Sequence, residues 1–470
     1  MTPSARRRVV LAALAASLPV AGSCFSRPIR DEGQLGTPFP VQGPTAAPPL
    51  PEPEPDPDPV EPIPRDPAPP TPGIGIGPVV RVGLRVSRAD TAALAATGAW
   101  RLIDQRGGVL VRARAGERWF LERRGGQLRA VREGGIRTGW QVAPLMQYPE
   151  EGSFVRTGGR SYRGALAWVP TDTGYLAVNH VPLEDYLRGV VPLEIGERSP
   201  GERAAVEAQA IAARSYTVMR LIAARGGSSR SPHFEVVASV ADQVYGGQEA
   251  ERPLADAAVT ATAGLVLRIG TRVVNAPFYS ACGGQTAAAE EVWRTGGEPH
   301  LRRVSDRIPG TDRHYCDIAP RFAWTRSWTG SELDAVVRRY LASVAAVGSG
   351  GPGRVTDLVV EERTPSGRVG TLIVRTDRGS YTVRGNDARS VLRSPGGEPL
   401  NSSYFSVTTE RDDGRLVRAV IRGNGYGHGV GMCQWGAIGR ARAGQDVRTI
   451  LRTYYPGTTV GPVPPGSLTP

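Results

Sequence analysis

The sequence contains no lysine, so all 57 of its basic residues are arginines. The formal net charge is +12, and a strongly basic chain raises the question of a nucleic-acid partner. Proteins of that class gather their cations on one face, where they displace counterions from the phosphate backbone. Here the arginines are scattered, and no dense basic run follows the first ten residues. The sequence therefore predicts no nucleic-acid binding, and an acidic polymer of another kind fits the charge equally well.

Long apolar segments are also lacking after the N-terminus. Arginines at 6–8 precede an apolar run over residues 9–20, which is too short for a stable membrane-spanning helix. Small residues and then Cys24 follow, which resembles a bacterial lipoprotein signal whose cysteine becomes the lipidated first residue. The alternative is an ordinary signal peptide cleaved nearby. Both interpretations make residues 1–24 a signal peptide and predict export to the cell envelope, and the first adds membrane attachment through the lipid on Cys24.

Cysteine is scarce, with four residues in the chain. Once Cys24 is set aside, Cys282, Cys316 and Cys433 remain, an odd number that leaves one thiol unpaired. Disulfides persist outside the cytoplasm, so the favoured prediction is a disulfide between Cys282 and Cys316, with Cys433 as a free thiol. The alternative is that Cys282 is a nucleophile with a histidine as its base.

Proline-rich and glycine-rich stretches divide the chain. Residues 25–77 are predicted to be a linker, because the alternating prolines and acids within them cannot form helix or sheet. Residues 78–170 contain short alternating runs punctuated by paired glycines, which predicts an N-terminal β-rich module. We expect the core of the protein in residues 171–300 and 301–462, with a short tail over residues 463–470.

The core combines one clear helix with many β-like runs. Ser199 and Glu202 have the spacing of a capping box, and Pro200 suits the first helical position. The alanine-rich residues 203–225 include no glycine or proline, which predicts a long helix that is buried on much of its surface. A second helix is predicted over residues 332–347. The fold class is therefore α+β, β-rich with mixed sheets and one long buried helix.

One carboxyl group differs from its neighbours in its surroundings. Glu194 lies between Leu193 and Ile195 in an apolar stretch, whereas Glu184 and Asp185 lie among polar positions that favour solvation or capping. An apolar environment raises the pKa of a carboxyl group. A glutamic acid that stays protonated near neutral pH can donate its proton to a glycosidic oxygen. From these residues alone, a peripheral glutamate at a helix end is the alternative.

Glycines alternate through residues 423–437 and present His428, Gln434 and Trp435 on an irregular backbone. The spacing does not match a dinucleotide-binding turn, so no nucleotide cofactor is predicted. An amide and an indole ring suit sugar binding, and the alternative is a structural loop in which His428 is a hydrogen-bond donor. A zinc site needs three or four well-spaced ligands. The histidines and cysteines here lack that spacing, so no metal is predicted.

Six motifs follow one another along the chain, at residues 182–194, 207–216, 242–247, 282–286, 291–293 and 427–431. Taken in order, they resemble the stage II sporulation protein D and amidase-enhancer family. The resemblance extends from about residue 80 to residue 460. Such an ordered series of motifs is more specific than any one of them. Some relatives carry a zinc-binding cluster of cysteine and histidine just before the third motif, but residues 238–242 contain neither residue type.

The resemblance implies a protein that acts on peptidoglycan. It is either a lytic transglycosylase that cuts glycan strands stripped of their peptides, or an activator of the N-acetylmuramoyl-L-alanine amidase that strips them. Residues 171–300 correspond to the catalytic core of the family, and Glu194 falls where the family carries its essential acid. A substrate-binding groove is implied around Arg214, Tyr216, Gln243, Tyr245, Gly283, Gly284, Thr286, Trp293, His428 and Gln434.

Overall fold

A computed structural model describes most of the chain after the predicted linker. The predicted signal peptide, the predicted lipidation site at Cys24 and nearly all of the predicted linker lie outside the described residues. No helix in the described part of the chain is long and apolar enough to cross a membrane. The described residues are 77–88, 91–228, 231–293 and 296–468.

Contacts divide the described residues into two compact units, residues 77–182 and residues 183–468. The first unit is built of antiparallel strands, as the alternating pattern predicts. Its strands are β1 (Val79–Ser87), β2 (Thr91–Ala96), β3 (Trp100–Ile103), β4 (Val109–Ala113), β5 (Trp119–Arg124), β6 (Gln127–Arg132), β7 (Gln141–Val142), β8 (Leu145–Pro149), β9 (Val155–Thr157), β10 (Arg160–Tyr162), β11 (Ala165–Thr171) and β12 (Gly174–Pro182).

Strand pairing explains where the first unit ends. Strands β1, β12, β11, β8, β3 and β4 hydrogen-bond in that order, and β10, β9, β2, β5, β6 and β7 form a second series. Period-two alternation turns Val80 and Val82 of β1 into the interior, where both are fully buried. Because β12 pairs with β1 and with β11, the unit continues to Pro182, past the boundary predicted at residue 170.

The second unit holds the helices. Its helices are α1 (Leu183–Ile195), α2 (Arg203–Ala223), α3 (Pro253–Ala261), α4 (Ala289–Val292), α5 (Gly330–Tyr340), α6 (Asp387–Val391), α7 (Gln434–Arg442) and α8 (Val447–Tyr454). Its strands are β13 (Val236–Val237), β14 (Leu265–Ile269), β15 (Arg272–Val273), β16 (Phe278–Tyr279), β17 (Ala323–Thr329), β18 (Val355–Arg363), β19 (Val369–Thr376), β20 (Gly379–Arg384), β21 (Phe405–Asp412), β22 (Arg415–Asn424), β23 (Met432–Cys433) and β24 (Thr459–Pro462).

Helix α2 is the long buried helix that the sequence predicts. A short 3-10 turn over Pro200–Glu202 precedes it, and the Ser199 amide donates to Glu202 Oε2 at 2.9 Å. This bond satisfies one of the amides that a helix start leaves without a partner. Ala208 and Ala212 are fully buried, and such small side chains let neighbouring elements approach closely. The mixed α+β class is confirmed.

The strands of the second unit form small sheets. Strands β15, β14 and β24 pair in that order, as do β17, β22 and β21, and also β18, β19 and β20. Helix α5 contributes buried Leu333 and Val337 to a hydrophobic cluster with Leu372 and Ile421 of these strands. Strands β16 and β23 pair in parallel, with Phe278 opposite Met432 and Tyr279 opposite Cys433. This pairing brings the motif at residues 282–286 beside the glycine-rich motif.

Candidate active site

Glu194 occupies the interior face of α1 close to its C-terminal end. The residue is 1% exposed, and its neighbours Val190, Val191 and Ile195 are fully buried. Pro192 lies within the same helix. Its carboxyl group is therefore removed from bulk water.

A single backbone amide contacts the Glu194 carboxyl group. The Val244 N–H donates to Oε1 at 2.9 Å, while Oε2 is buried and has no hydrogen-bond partner among the described residues. Burial raises the pKa of Glu194 to about 8, against the opposing effect of the Val244 hydrogen bond. The carboxyl group is therefore mostly protonated at neutral pH. Because Oε1 already accepts a hydrogen bond, Oε2 carries the proton and can donate it.

Gln243 fixes the position of that amide. Its Oε1 accepts hydrogen bonds from the Tyr186 hydroxyl at 3.1 Å and the Thr217 hydroxyl at 2.9 Å. Its Nε2 donates to the Ala213 carbonyl at 3.3 Å. The side chain thus bonds to both α1 and α2, and it holds the following residue, Val244, against α1.

Tyr245 packs beside the same helix at a glycine. Its ring lies 5.0 Å from the Tyr186 ring, centroid to centroid. A Cβ atom on Gly189 would meet the Tyr245 ring at 2.5 Å, so the close approach requires glycine at this position. The Gly246 amide also donates to the Gly189 carbonyl at 3.1 Å. Sequence reasoning placed Gly189 in the first motif but gave it no role, although a glycine inside a helix is a signal for close packing.

Tyr216 contacts Asp242, which lies two residues before Val244. It is half-buried, and its hydroxyl donates to Asp242 Oδ1 at 2.7 Å, while Asp242 Oδ2 accepts the Val237 amide at 3.0 Å. The Arg220 guanidinium lies 3.6 Å from the same carboxylate. These bonds hold Asp242 against α2. A contact between Tyr216 and a glycan stays a prediction.

Arg214 is fully buried and holds the helices together. Its Nε and Nη2 donate to the two carboxylate oxygens of Glu184 at 2.9 and 2.7 Å. Nη1 donates to the Leu265 carbonyl at 3.1 Å. Glu184, which the sequence analysis assigned to solvation or capping, is instead the partner of a buried cation. A contact between Arg214 and a glycan stays a prediction.

Both ring nitrogens of His428 form hydrogen bonds with backbone groups. The Val430 amide donates to Nδ1 at 3.1 Å, and Nε2 lies 3.0 Å from the Phe278 carbonyl. Nδ1 is therefore the acceptor and Nε2 carries the hydrogen. Burial lowers the pKa of His428 to about 3. This geometry matches the structural loop that the sequence left open, and it leaves no lone pair with which His428 can activate Cys282.

Gln434 and Thr286, which were also predicted to bind substrate, form hydrogen bonds within the protein. Gln434 Nε2 donates to Gln209 Oε1 at 3.2 Å, which links α7 to α2. Gln434 Oε1 and Gln209 Nε2 are buried without a hydrogen-bond partner in the described part of the chain. Thr286 Oγ1 accepts the Val304 amide at 2.8 Å and donates to the Arg302 carbonyl at 3.1 Å. Both bonds fix a loop, and a contact between Thr286 and a glycan stays a prediction.

The paired glycines form a buried turn. Gly283 has a φ of 74° and Gly284 a φ of 120°, conformations that favour glycine. A Cβ atom on Gly283 would lie 2.7 Å from the Asn424 Cβ atom, so the turn packs tightly against the end of β22. Trp293 is half-buried, with its ring 5.3 Å from the His428 ring. Glycan contacts by these residues stay predictions.

The structure gathers the predicted residues into two groups. One surrounds Glu194 on α1 and α2, and the other surrounds His428 beside β16 and β23. Glu194 itself is 1% exposed. Two cavities, of about 600 Å³ beside β2 and β5 and of about 410 Å³ among residues 338–378, are lined by neither group.

The cysteines meet in the interior of the second unit. Cys282 Sγ lies 3.3 Å from Cys316 Sγ, and the two sulfurs are not bonded. The sequence correctly places these two together, and their disulfide stays a prediction. Burial raises the pKa of Cys282 and Cys433 well above its ordinary value. Asp306, which sequence reasoning missed, lies 3.6 Å from Cys282 Sγ through its Oδ2.

The sequence is similar to one family of known proteins. Residues 171–268 match the family model of the stage II sporulation protein SpoIID, and residues 290–431 match a domain of unknown function, DUF8618. An uncharacterized protein of Brachyspira hyodysenteriae is 32% identical over 64% of this chain and 73% of its own length. The Bacillus subtilis stage II sporulation protein D is 30% identical over 61% and 77%. The Bacillus subtilis amidase enhancer is 31% identical over 58% and 40%.

Proposed function

Because this chain belongs to the stage II sporulation protein D family, we propose that it is a lytic transglycosylase that cleaves peptide-stripped glycan strands of peptidoglycan. The observation that carries the proposal is the state of Glu194. Its carboxyl group is buried, one oxygen has no partner among the described residues, and its pKa is raised to about 8. A carboxyl group in this state is suited to general acid catalysis at neutral pH.

One carboxyl group is sufficient for this reaction. Glu194 Oε2 donates its proton to the glycosidic oxygen, and the bond between that oxygen and the anomeric carbon breaks. The resulting carboxylate takes the proton from the C6 hydroxyl of the same sugar while that oxygen attacks the anomeric carbon. An anhydro-muramyl end forms, the acid is regenerated and no water is consumed. Glycoside hydrolysis, in contrast, generally requires two carboxyl groups.

The surrounding residues position this acid. The Val244 amide orients the carboxyl group, and Gln243 holds that amide through bonds to α1 and α2. The amide hydrogen bond also stabilises the carboxylate that forms after the first proton transfer. The basic charge of the chain, +12, suits binding to an acidic wall polymer.

The proposal includes export and anchoring. The N-terminal segment has the charged and apolar regions of a signal peptide, and Cys24 follows small residues as in a lipoprotein. The proline-rich stretch, predicted from the sequence to be a linker, connects this segment to the folded units. The protein acts in this account at the cell envelope.

One observation favours a second function. Glu194 is 1% exposed, so a glycan touches its carboxyl group only after neighbouring side chains move. A protein that binds glycan without cleaving it needs no such movement. The relative from Bacillus subtilis named amidase enhancer is similar over 58% of this chain, and stimulation of an N-acetylmuramoyl-L-alanine amidase is therefore the alternative.

Digestion of peptide-stripped glycan strands by the full-length protein separates the two functions. We expect the wild-type chain to release fragments with anhydro-muramyl ends, identified by mass spectrometry. Glu194→Gln removes the proton donor and should abolish release. Glu197→Gln changes an exposed carboxyl group three residues away and should retain it. Binding without cleavage by wild type, together with faster peptide release when an amidase is added, would establish the alternative.

A further inference from the structure

Four side chains with metal-binding atoms meet in the buried interior of the second unit. Their sulfur and carboxylate atoms all lie within 4.8 Å of one another, and all four residues are fully buried. We propose that they form a structural site for a divalent cation of tetrahedral preference, with Zn²⁺ as the natural ion for three thiolates and one carboxylate. The four residues are Cys282, Asp306, Cys316 and Cys433, called here the Cys3Asp cluster.

The spacing of the ligand atoms suits such an ion. Cys282 Sγ lies 3.3 Å from Cys316 Sγ and 3.6 Å from Asp306 Oδ2. With zinc–sulfur bonds of about 2.3 Å and zinc–oxygen bonds of about 2.0 Å, tetrahedral geometry separates two sulfurs by about 3.8 Å and a sulfur and an oxygen by about 3.5 Å. Changes of about half an ångström or less in these two separations reach bonding positions, and the longest separation in the cluster, up to 4.8 Å, needs a change of about one ångström.

Backbone amides already surround the Cys433 sulfur. The Cys282 and Gly436 amides each donate to Sγ at 3.2 Å, and the sulfur caps the N-terminus of α7. Sγ also lies 3.7 Å from the Ser280 carbonyl. Amide donors and a helix N-terminus stabilise a sulfur that carries the negative charge of a metal-bound thiolate.

The Asp306 carboxylate is oriented as a metal ligand requires. Its Oδ1 accepts the Tyr454 hydroxyl at 2.7 Å and an Arg440 N–H at 3.2 Å. These partners fix Oδ1 on the far side, so Oδ2 is directed toward Cys282. Hydrogen bonds of this kind from outside the ligand set are typical of metal-bound carboxylates. The lack of a side chain at Gly436 leaves room for this carboxylate, because a Cβ atom at that position would lie 2.5 Å from Oδ2.

Charge balance also fits the proposal. Three thiolates, a carboxylate and Zn²⁺ together carry two negative charges, and two buried guanidinium groups lie beside them. Arg440 contacts Asp306, and Arg368 donates through Nη2 to the Cys282 carbonyl at 3.2 Å. Arg368 is 2% exposed, and its Nε and Nη1 have no hydrogen-bond partner among the described residues. A buried cation of this kind is costly unless negative charge lies nearby.

An ion bound at this site would stabilise a long loop. The described residues 296–322 contain no helix and no strand, and both Asp306 and Cys316 lie among them. Loops of this length without secondary structure are uncommon in compact domains. A cation shared with Cys282 and Cys433 ties this loop to β16 and β23, which carry the motifs around His428. Since protein side chains supply all four ligands of the ion, the site is structural rather than catalytic.

Metal binding and disulfide formation at these residues are different chemical events. On binding Zn²⁺, each cysteine loses its thiol proton to solvent, and no electrons are transferred. A disulfide between Cys282 and Cys316 requires an oxidant and a bond of about 2.04 Å. It also removes two of the four ligands and leaves Cys433 and Asp306 together in the interior.

Metal analysis of the full-length chain, purified with a thiol reductant that does not chelate metals, tests the proposal. We expect one equivalent of zinc per chain and, after exchange with Co²⁺, the charge-transfer absorption of thiolate-bound cobalt. Cys433→Ser should reduce the zinc content and weaken that absorption. Cys24→Ser, which removes the remaining cysteine of the chain, should keep the full equivalent.

Wild-type protein alone is sufficient to overturn the inference, so a variant that fails to fold does not weaken the test. Chelator-treated wild-type chain is titrated with Zn²⁺ and with Co²⁺, with thermal unfolding as a second readout. Binding of either ion that raises the unfolding temperature supports the site. Failure to bind both ions, or a Cys282–Cys316 disulfide in protein isolated from the envelope, rejects it. Neither readout depends on glycan cleavage.

Discussion

Replacement of Glu194 by glutamine should make the protein more stable while it removes the proposed activity. The wild-type carboxyl group ionises freely in the unfolded chain, where its pKa is near 4.5, but only near pH 8 in the fold. The folded pKa is the higher of the two, so stability falls as pH rises from 4.5 to about 8 and is constant above that. Glutamine has nearly the same shape, accepts the Val244 hydrogen bond and never ionises.

The size of the effect follows from the gap between the two pKa values. Each pH unit between them costs the wild-type fold roughly 1.4 kcal/mol. Relative to the glutamine variant, the cost is about 1 kcal/mol at pH 5, about 3 kcal/mol at pH 7 and about 5 kcal/mol above pH 8. Glu194→Gln should therefore unfold at higher urea concentration than wild type, with a difference that grows with pH.

Urea unfolding of both proteins at a series of pH values measures this directly. Glu197→Gln is the matched control, because that side chain is exposed and its replacement should leave the curves within about 0.5 kcal/mol of wild type. Parallel curves for wild type and Glu194→Gln over the whole series would refute the reasoning. Such a result would mean that the carboxyl group titrates in the fold as it does in the unfolded chain.

Three further predictions follow from the same contacts. Gly189→Ala places a methyl group 2.5 Å from the Tyr245 ring and should cost roughly 1–3 kcal/mol of stability, seen in urea unfolding, together with loss of glycan cleavage. Arg214→Lys loses the two-point contact with Glu184 and should cost roughly 2–4 kcal/mol in the same assay. In a pH series of glycan cleavage, kcat/KM should fall roughly tenfold per pH unit above pH 8, because Glu194 must be protonated to act.

Each of these has a control or a contradicting outcome. Gly201→Ala, where nothing lies within 4 Å of the new methyl group, should be close to neutral, and a Gly189→Ala variant that behaves like it would contradict the packing argument. Arg203→Lys alters an exposed ion pair with Glu207 and should change stability by less than about 1 kcal/mol. Cleavage that continues undiminished to pH 10 would assign the proton donation to a group other than Glu194.

The sequence was most informative where local chemistry decides the structure. The capping residues and the alanine-rich run predicted α2 closely, because helix signals are local. Alternation predicted the β-rich first unit for the same reason. The boundary at residue 170 differs from the structure because β12 is held by pairing with β1, more than eighty residues away in the sequence.

Partners that come from distant segments were not predictable in this way. The pattern around Glu194 indicated burial, but the amide that contacts it belongs to Val244, which reaches α1 only through the fold. Arg214 and His428 were expected to face a glycan, yet both are buried and hydrogen-bonded within the protein. Asp306 carries no signal in its own sequence neighbourhood, since its importance comes from the three cysteines that the fold brings to it.

The central claim is that Glu194 alone cuts the glycan without water, and cleavage in heavy-oxygen water tests it most directly. Peptide-stripped glycan strands are incubated with the full-length protein in that solvent, and the new ends are analysed by mass spectrometry. We predict anhydro-muramyl ends that contain no heavy oxygen, and no new ends at all with Glu194→Gln. Reducing ends that carry heavy oxygen, or undiminished cleavage by Glu194→Gln, would contradict the account.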